Sequence, residues 1–298
     1  MAITRTIYTQ GKLTIDSGAT TDWAVLSGVQ NATYTINTPR ENVNQFSAKG
    51  LIDKVQVAPT EATITCSFII PSKAQAGGVT SGLHIAPTAL NGLIEMGSLT
   101  ESLPNITVTA GGLGKITGAI LSSININAAA GELPTMELTF QGIPPSNPID
   151  TDTEIDGTKV SNPPIATTYS VTTPDIISGY RQGSAVSFTA GDSNTDAIRT
   201  ATFAYDMPVE RIQRLGESVD LATPFGNPPG TASLTLEGTN VANISNFSGI
   251  VIGPYVFAVG GRLDIVSREH SMAVGDISAS YSVNYEGTAD AVVCSAAV

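Results

Sequence analysis

The stretch "DTDTEIDG" sets Asp150, Asp152, Glu154 and Asp156 at alternate positions ahead of Gly157. That is the carboxylate spacing with which a loop can wrap a calcium ion. Such a loop also needs a bidentate glutamate at its twelfth position, and counted from Asp150 that place is held by Ser161. The run reads as a solvated acidic linker, and no metal is expected. "AGGLGKIT", residues 110–117, has the glycines and lysine of a phosphate-binding loop. Its first glycine would have to stand at Thr109, and Ile116 follows Lys115 where a hydroxyl is required. A glycine-rich turn accounts for it. "GDSNTD", residues 191–196, puts a serine beside acids without the glycine of a nucleophile elbow.

The remaining candidates for chemistry are few. The two histidines, His84 and His270, fall in different halves of the chain and at unmatched positions, so a histidine base is not expected. Cys66 and Cys294 form no Cys-x-x-Cys or Cys/His spacing, which argues against zinc. Alternation in "ATITCSFII" turns Cys66 inward, which favours a buried free thiol, while the sequence also allows a disulfide with Cys294. Nothing singles out a working pair among the 26 acids, and Trp23 and the tyrosines show no cluster for stacking on a sugar or base. The expectation is no catalytic residue, no cofactor and no enzyme.

The elements that carry these residues are strands. Of the 298 residues, 13% are charged and 6% aromatic, while glycine and proline number 29 and 17. Such a chain suits many short strands joined by turns and is poor in the Glu, Lys and Arg that long surface helices favour. A net charge of −12 repels a nucleic-acid backbone and disfavours tight DNA binding. The N-terminal "MAITRTIYTQGKLTIDSG" lacks the apolar core of a signal peptide, and no run of 18 apolar residues occurs. The expectation is a soluble protein made in the cytoplasm.

The chain also resembles itself. Residues 29–46, "VQNATYTINTPRENVNQF", lie without a gap over residues 198–215, "IRTATFAYDMPVERIQRL". Ala32 falls on Ala201, Thr33 on Thr202, Pro39 on Pro208 and Glu41 on Glu210, with Val43 on Ile212 and Phe46 on Leu215. "YTQG" (8–11) then matches "YRQG" (180–183), "APTEATITC" (58–66) matches "PPGTASLTL" (228–236), "AILSS" (119–123) matches "DIVSR" (264–268), and "MELTFQG" (136–142) matches "YSVNYEG" (281–287). Collinear matches of this kind point to a duplicated domain: residues 1–142, a Pro-rich acidic linker at 143–179, and residues 180–298. The first copy carries about 25 extra residues between its middle strands. Within that extra segment "PTALNGLIEM" (87–96) places Leu90, Leu93 and Ile94 on one helical face. Elsewhere, short strands with turn signals predict antiparallel sandwiches or barrels.

In both copies an alternating strand (Ala32, Tyr34 and Ile36 in the first) meets a proline and passes into "x-E-x-[VI]-x-x-[FL]". Pro39, Arg40, Glu41, Val43 and Phe46, with Pro208, Glu210, Ile212 and Leu215, are therefore candidates for a subunit interface. The alternative is that these apolar anchors fold back on their own domain. "NTPRENVNQFSAKGLIDKVQVAPTEATITCSF" and "DMPVERIQRLGESVDLATPFGNPPGTASLTLEG" resemble the tail tube proteins of tailed bacteriophages and the related secretion-tube and baseplate-hub proteins.

That resemblance implies two tandem β-sandwich domains whose inner strands pair edge to edge, three subunits forming a ring of six similar domains. It further implies rings stacked into a tube, with loops 39–58 and 208–228 joining subunits and rings. DNA would pass through an acidic lumen without specific binding. Implied partners are other copies of the chain, a tape measure in the lumen, and sheath, baseplate and terminator proteins, in a virion and away from any membrane. The rival expectations are a baseplate hub or distal tail protein that forms one ring, and a tandem β-sandwich adhesin or carbohydrate-binding protein.

Overall fold

The computed structural model describes residues 13–16, 24–26, 29–44, 51–58, 60–70, 85, 87–97, 107–110, 113–129, 132–144, 186–188, 198–207, 211–212, 223–224, 230–238, 247–252, 255–271, 280–289 and 292–296. In chain order the elements are β1 (Leu13–Asp16), β2 (Ala24–Leu26), β3 (Val29–Asn37), β4 (Arg40–Asn44), β5 (Leu51–Gln56), β6 (Glu61–Ile69) and α1 (Pro87–Gly97). Then come β7 (Thr107–Ala110), β8 (Gly114–Ala129), β9 (Thr135–Ile143), β10 (Val186–Phe188), β11 (Ile198–Asp206), β12 (Arg211–Ile212) and β13 (Thr223–Pro224). β14 (Gly230–Gly238), β15 (Phe247–Ile252), β16 (Tyr255–Ser271), β17 (Ser280–Ala289) and β18 (Val292–Ala296) complete the chain. The protein is mainly β, and every strand pair is antiparallel.

Period-two alternation decides which way each strand faces. In β6 the side chains of Ala62, Ile64, Cys66 and Phe68 are buried, and Thr63, Thr65 and Ser67 lie on the opposite face. Register carries that division across the sheet. One apolar row runs Cys66, Leu138, Ile124, Tyr205, Ala232, and a second runs Phe68, Met136, Ile126, Phe203, Leu234. The facing polar row runs Thr33, Thr65, Thr139, Ser123, Asp206, Thr231. Beside it Ser67, Glu137, Asn125, Ala204 and Ser233 form another.

The strands of this sheet fall into two quartets, β3-β6-β9-β8 and β11-β14-β17-β16, with the same order. The registers agree as well. Tyr34 pairs with Ile64 as Phe203 pairs with Leu234, and Ile64 with Phe140 as Leu234 with Tyr285. Even the bulges recur: Val29/Asn31 in β3 and Ile198/Thr200 in β11, Leu121/Ser123 in β8 and Ile265/Ser267 in β16. The quartets are joined within the chain by β8 against β11.

β8 and β16 are the longest strands, with 16 and 17 residues, and both change partners along their length. β8 pairs with β7 up to Thr117 and with β11 from Ser123; β16 pairs with β15 and β18 in its first part and with β17 in its second. At the β8 change Gly118 takes a φ of 57°, in the left-handed region that side chains avoid. Opposite it, a Cβ on Gly142 would sit 2.8 Å from the Thr117 carbonyl oxygen, so a bulge with close backbone approach requires glycine at both places. Within the glycine-rich stretch at 110–117, Ala110 ends β7 and Gly114 opens β8, and Leu113 N–H donates to the Ala110 carbonyl at 2.9 Å.

A second layer covers the apolar face. Its buried side chains include Leu13 and Ile15 of β1, Val108 of β7, Tyr255 and Phe257 of β16, and Val292 and Cys294 of β18. Phe257 stacks on Phe203 with ring centroids 5.1 Å apart. The helix predicted over 87–96 is α1, with Leu90, Leu93 and Ile94 buried as the spacing implied. It lies against β18, where the Asn91 side-chain oxygen accepts the Cys294 backbone N–H at 2.9 Å, and the Tyr255 hydroxyl donates to the Ile85 carbonyl at 2.7 Å. Residues 85–97 therefore clasp β16 and β18. Asn91→Ala is expected to cost about 1–2 kcal/mol, the penalty of orphaning a partly buried N–H. Hydrogen exchange at the Cys294 amide should accelerate with it; unchanged exchange would refute the clasp.

Both cysteines are free and buried. Burial pushes each thiol up from its ordinary 9.0 to about 12, because the thiolate would lose its hydration. Their protonated state stabilises the fold fully below the pKa of the unfolded thiol, and that contribution drains away as pH rises from 9 toward about 12. Native protein at neutral pH should resist iodoacetamide and take up two labels only when unfolded. Rapid labelling of folded protein would contradict this.

Candidate assembly surface

The proline that interrupts the repeated strand sits at a joint. β3 ends at Asn37, and Pro39, which has no N–H for a ladder, still accepts Val57 N–H through its carbonyl at 3.1 Å. The Thr38 and Thr60 hydroxyls meet at 3.0 Å, and the Gln56 side-chain amide donates to the Ala58 carbonyl at 2.9 Å. Past this joint the chain resumes as the β4–β5 hairpin, a two-stranded sheet of its own. The expected loop over 39–58 is thus corrected: residues 40–44 and 51–56 are strands. Their polar composition masks an alternation that a two-stranded arm, exposed on both faces, does not need to make hydrophobic.

Register puts Glu41 opposite Val55 and Val43 opposite Asp53. One face of the arm therefore carries Glu41, Val43, Asp53 and Val55, with Val43, Val55 and nearby Val57 43%, 45% and 43% exposed. The other face carries Arg40, Asn42 and Lys54, all exposed. β12 pairs with β13 by Ile212 opposite Thr223, a separate two-stranded sheet as β4–β5 is. Phe46, Pro208, Glu210 and Leu215 lie outside the described residues, as do the acidic run at 150–156, His84 and most of the linker.

A second feature escaped the reading of the sequence: the edges of the sheet. Among the described residues β3 has one ladder neighbour, β6, and β16 over Asp264–Ser271 has one, β17. Ile36, on the alternating face with Ala32 and Tyr34, is 41% exposed on a side of β3 where the described residues place no strand, and Val266 on β16 is 59% exposed. Arg268 and Glu269 are exposed as well. Among the described residues, five of the seven large exposed hydrophobics, Ile36, Val43, Val55, Val57 and Val266, belong to these edges or to the arm; Leu133 and Val293 are the others.

The β8–β11 junction shows what such an edge looks like when paired. Seven residue pairs run from Thr200 opposite Ala129 to Asp206 opposite Ser123. Met207 N–H extends the ladder to the Ser122 carbonyl at 2.8 Å, and the Thr202 hydroxyl donates to Asn127 at 3.4 Å. On the apolar side Phe203, Tyr205, Ile124 and Ile126 are all buried.

Tyr34 holds β3 in place from the other direction. Its ring packs over Gly114, where an added Cβ would lie 2.3 Å from the ring, and its hydroxyl donates to the Lys115 carbonyl at 3.3 Å. Partial burial raises its phenol pKa. Gly114→Ala must displace that ring and is expected to cost about 1–3 kcal/mol. In a Tyr34→Ala background the same change should cost far less. Additive losses in the double mutant would rule out the contact as the cause.

No protein-family model matches this chain, and no curated protein matches it. Among the described residues no group of three His, Cys, Asp or Glu is placed to hold a metal, and no helix is long and apolar enough to cross a membrane. The surface that distinguishes the molecule is its pair of sheet edges with the projecting arm.

Proposed function

We propose that this chain is the major tail tube subunit of a tailed bacteriophage, a structural protein whose rings stack into a hollow tube for DNA. The observation that carries the reading is the sheet: two quartets of equal order and register, already joined edge to edge once within the chain. A chain that holds one copy of a junction and leaves its two edge types at opposite ends is suited to a cyclic assembly. Three subunits would place six quartets around the ring. Closure would remove the sheet edges that otherwise invite aggregation. In such a barrel the apolar face is covered by the second layer, so the Thr, Ser and Asn rows with Glu61, Glu137 and Asp206 line the channel. Those rows repel a phosphate backbone, and DNA slides past them. The arm, marginal as a lone two-stranded hairpin, gains a partner when rings stack.

Negative-stain imaging of purified protein over a range of concentrations tests the proposal. Rings with a central channel that stack into tubes support it. Rings that never stack would shift the reading to a baseplate hub or distal tail protein. A monomer under all conditions, with glycan binding, would replace it with the adhesin.

A further inference from the structure

From the internal junction we infer that the β3 edge is filled by β16 of a second copy of this chain, antiparallel and in the register of β11 on β8. The inference rests on the reading of the chain as a self-assembling subunit and adds which edges meet and how. β3 is the counterpart of β11, and β16 the counterpart of β8, by order, pairing and bulge position. The bulges matter because each one bends and twists its strand locally. The two edges left at the ends of the sheet therefore have the contour of the two that already fit each other.

Register transfers residue by residue. Ser123 and Ser267 occupy the same place opposite Thr139 and Asn284 just past the bulge, and Asp206 matches Asn37. Across the new junction Ile36 then faces Arg268, Thr35 faces Glu269 and Tyr34 faces His270. The Arg268 stem covers Ile36, the Thr35 hydroxyl lies beside the Glu269 carboxylate, and the Thr38 N–H reaches the Val266 carbonyl as Met207 reaches Ser122. Pairing β3 with β3 would need a second, different β16–β16 contact to fill the other edge, whereas the heterologous pairing fills both edges with one repeated contact whose register the chain already holds at β8–β11.

The test is a double variant of the full chain, Thr35→Cys with Glu269→Cys, oxidised mildly after assembly. Within one chain these positions stand at opposite ends of the two quartets, about 33 Å apart along the sheet, so a disulfide between them joins two molecules. The expected result is a reducible ladder of covalent oligomers. Asn31→Cys with Glu269→Cys, four residues out of register and beyond disulfide reach, should give none. Assembled particles without the 35–269 cross-link, or with the 31–269 one, would overturn this pairing and leave the tail tube reading standing. A variant and a wild-type chain that both remain monomeric at every concentration would overturn both.

Discussion

If the chain assembles through β3 as proposed, Ile36→Lys is expected to weaken assembly strongly while leaving the folded chain intact. Ile36 is 41% exposed in the single chain, whereas its counterpart Tyr205, with a strand on either side, is 5% exposed. Docking a strand on β3 should bury Ile36 similarly, and full burial of such a side chain is worth about 1.5–3 kcal/mol. Lysine forgoes that burial and meets Arg268, a like charge directly across the ladder. Because only the exposed part of Ile36 remains to be buried, the loss is about 1–2 kcal/mol per junction, roughly 5- to 30-fold in the association constant. The critical concentration for ring formation, measured by sedimentation, should rise accordingly. Urea melts of the monomer should move by less than about 0.5 kcal/mol, as for other exposed sites. Ile36→Glu, opposite the same arginine, should assemble better than Ile36→Lys. Equal assembly by wild type and the lysine variant would remove β3 from the interface.

Phe203→Ala should be the most damaging single change to the fold, at about 3–5 kcal/mol. Phe203 is fully buried and stacks on Phe257, and its strand has Ile126 on one side and Leu234 on the other. Truncation leaves a cavity where the two quartets and the second layer meet. Rigid neighbours on three sides cannot collapse into it. A loss of that size is a large part of the 5–15 kcal/mol that typically separates folded from unfolded states. Equilibrium unfolding by urea measures it, and a loss below about 1 kcal/mol would mean that the site relaxes and that the stack is not a keystone of the core. Phe203→Leu, which retains most of the volume, should recover more than half of the loss.

The inward positions were legible because alternation is local. Cys66 is buried as the alternation in "ATITCSFII" implied, and Ile64, Phe68 and Ile70 on the same period are buried with it. So was the helix, whose Leu90, Leu93 and Ile94 obey the other period. The arm was not legible. Its valines alternate with Glu41, Asp53, Asn42 and Lys54, and a hairpin bare on both faces has no hydrophobic periodicity to betray it. Ile36 misled for a related reason: its apolar character implied a core contact, but its strand stands at the end of the sheet.

Residue types and their spacing, by themselves, determined the strand class, the facing of the central strands, the helix, the inward thiol of Cys66 and the matched proline-broken segments. Each of these depends on contacts between near neighbours or on plain composition. Only the tertiary structure decided that β8 meets β11, that α1 clasps β18, and that β3 and the second part of β16 are left at the margins. Strand order is a long-range property, set by which hydrogen-bonding edges meet once all apolar faces have been buried. No window of sequence contains it.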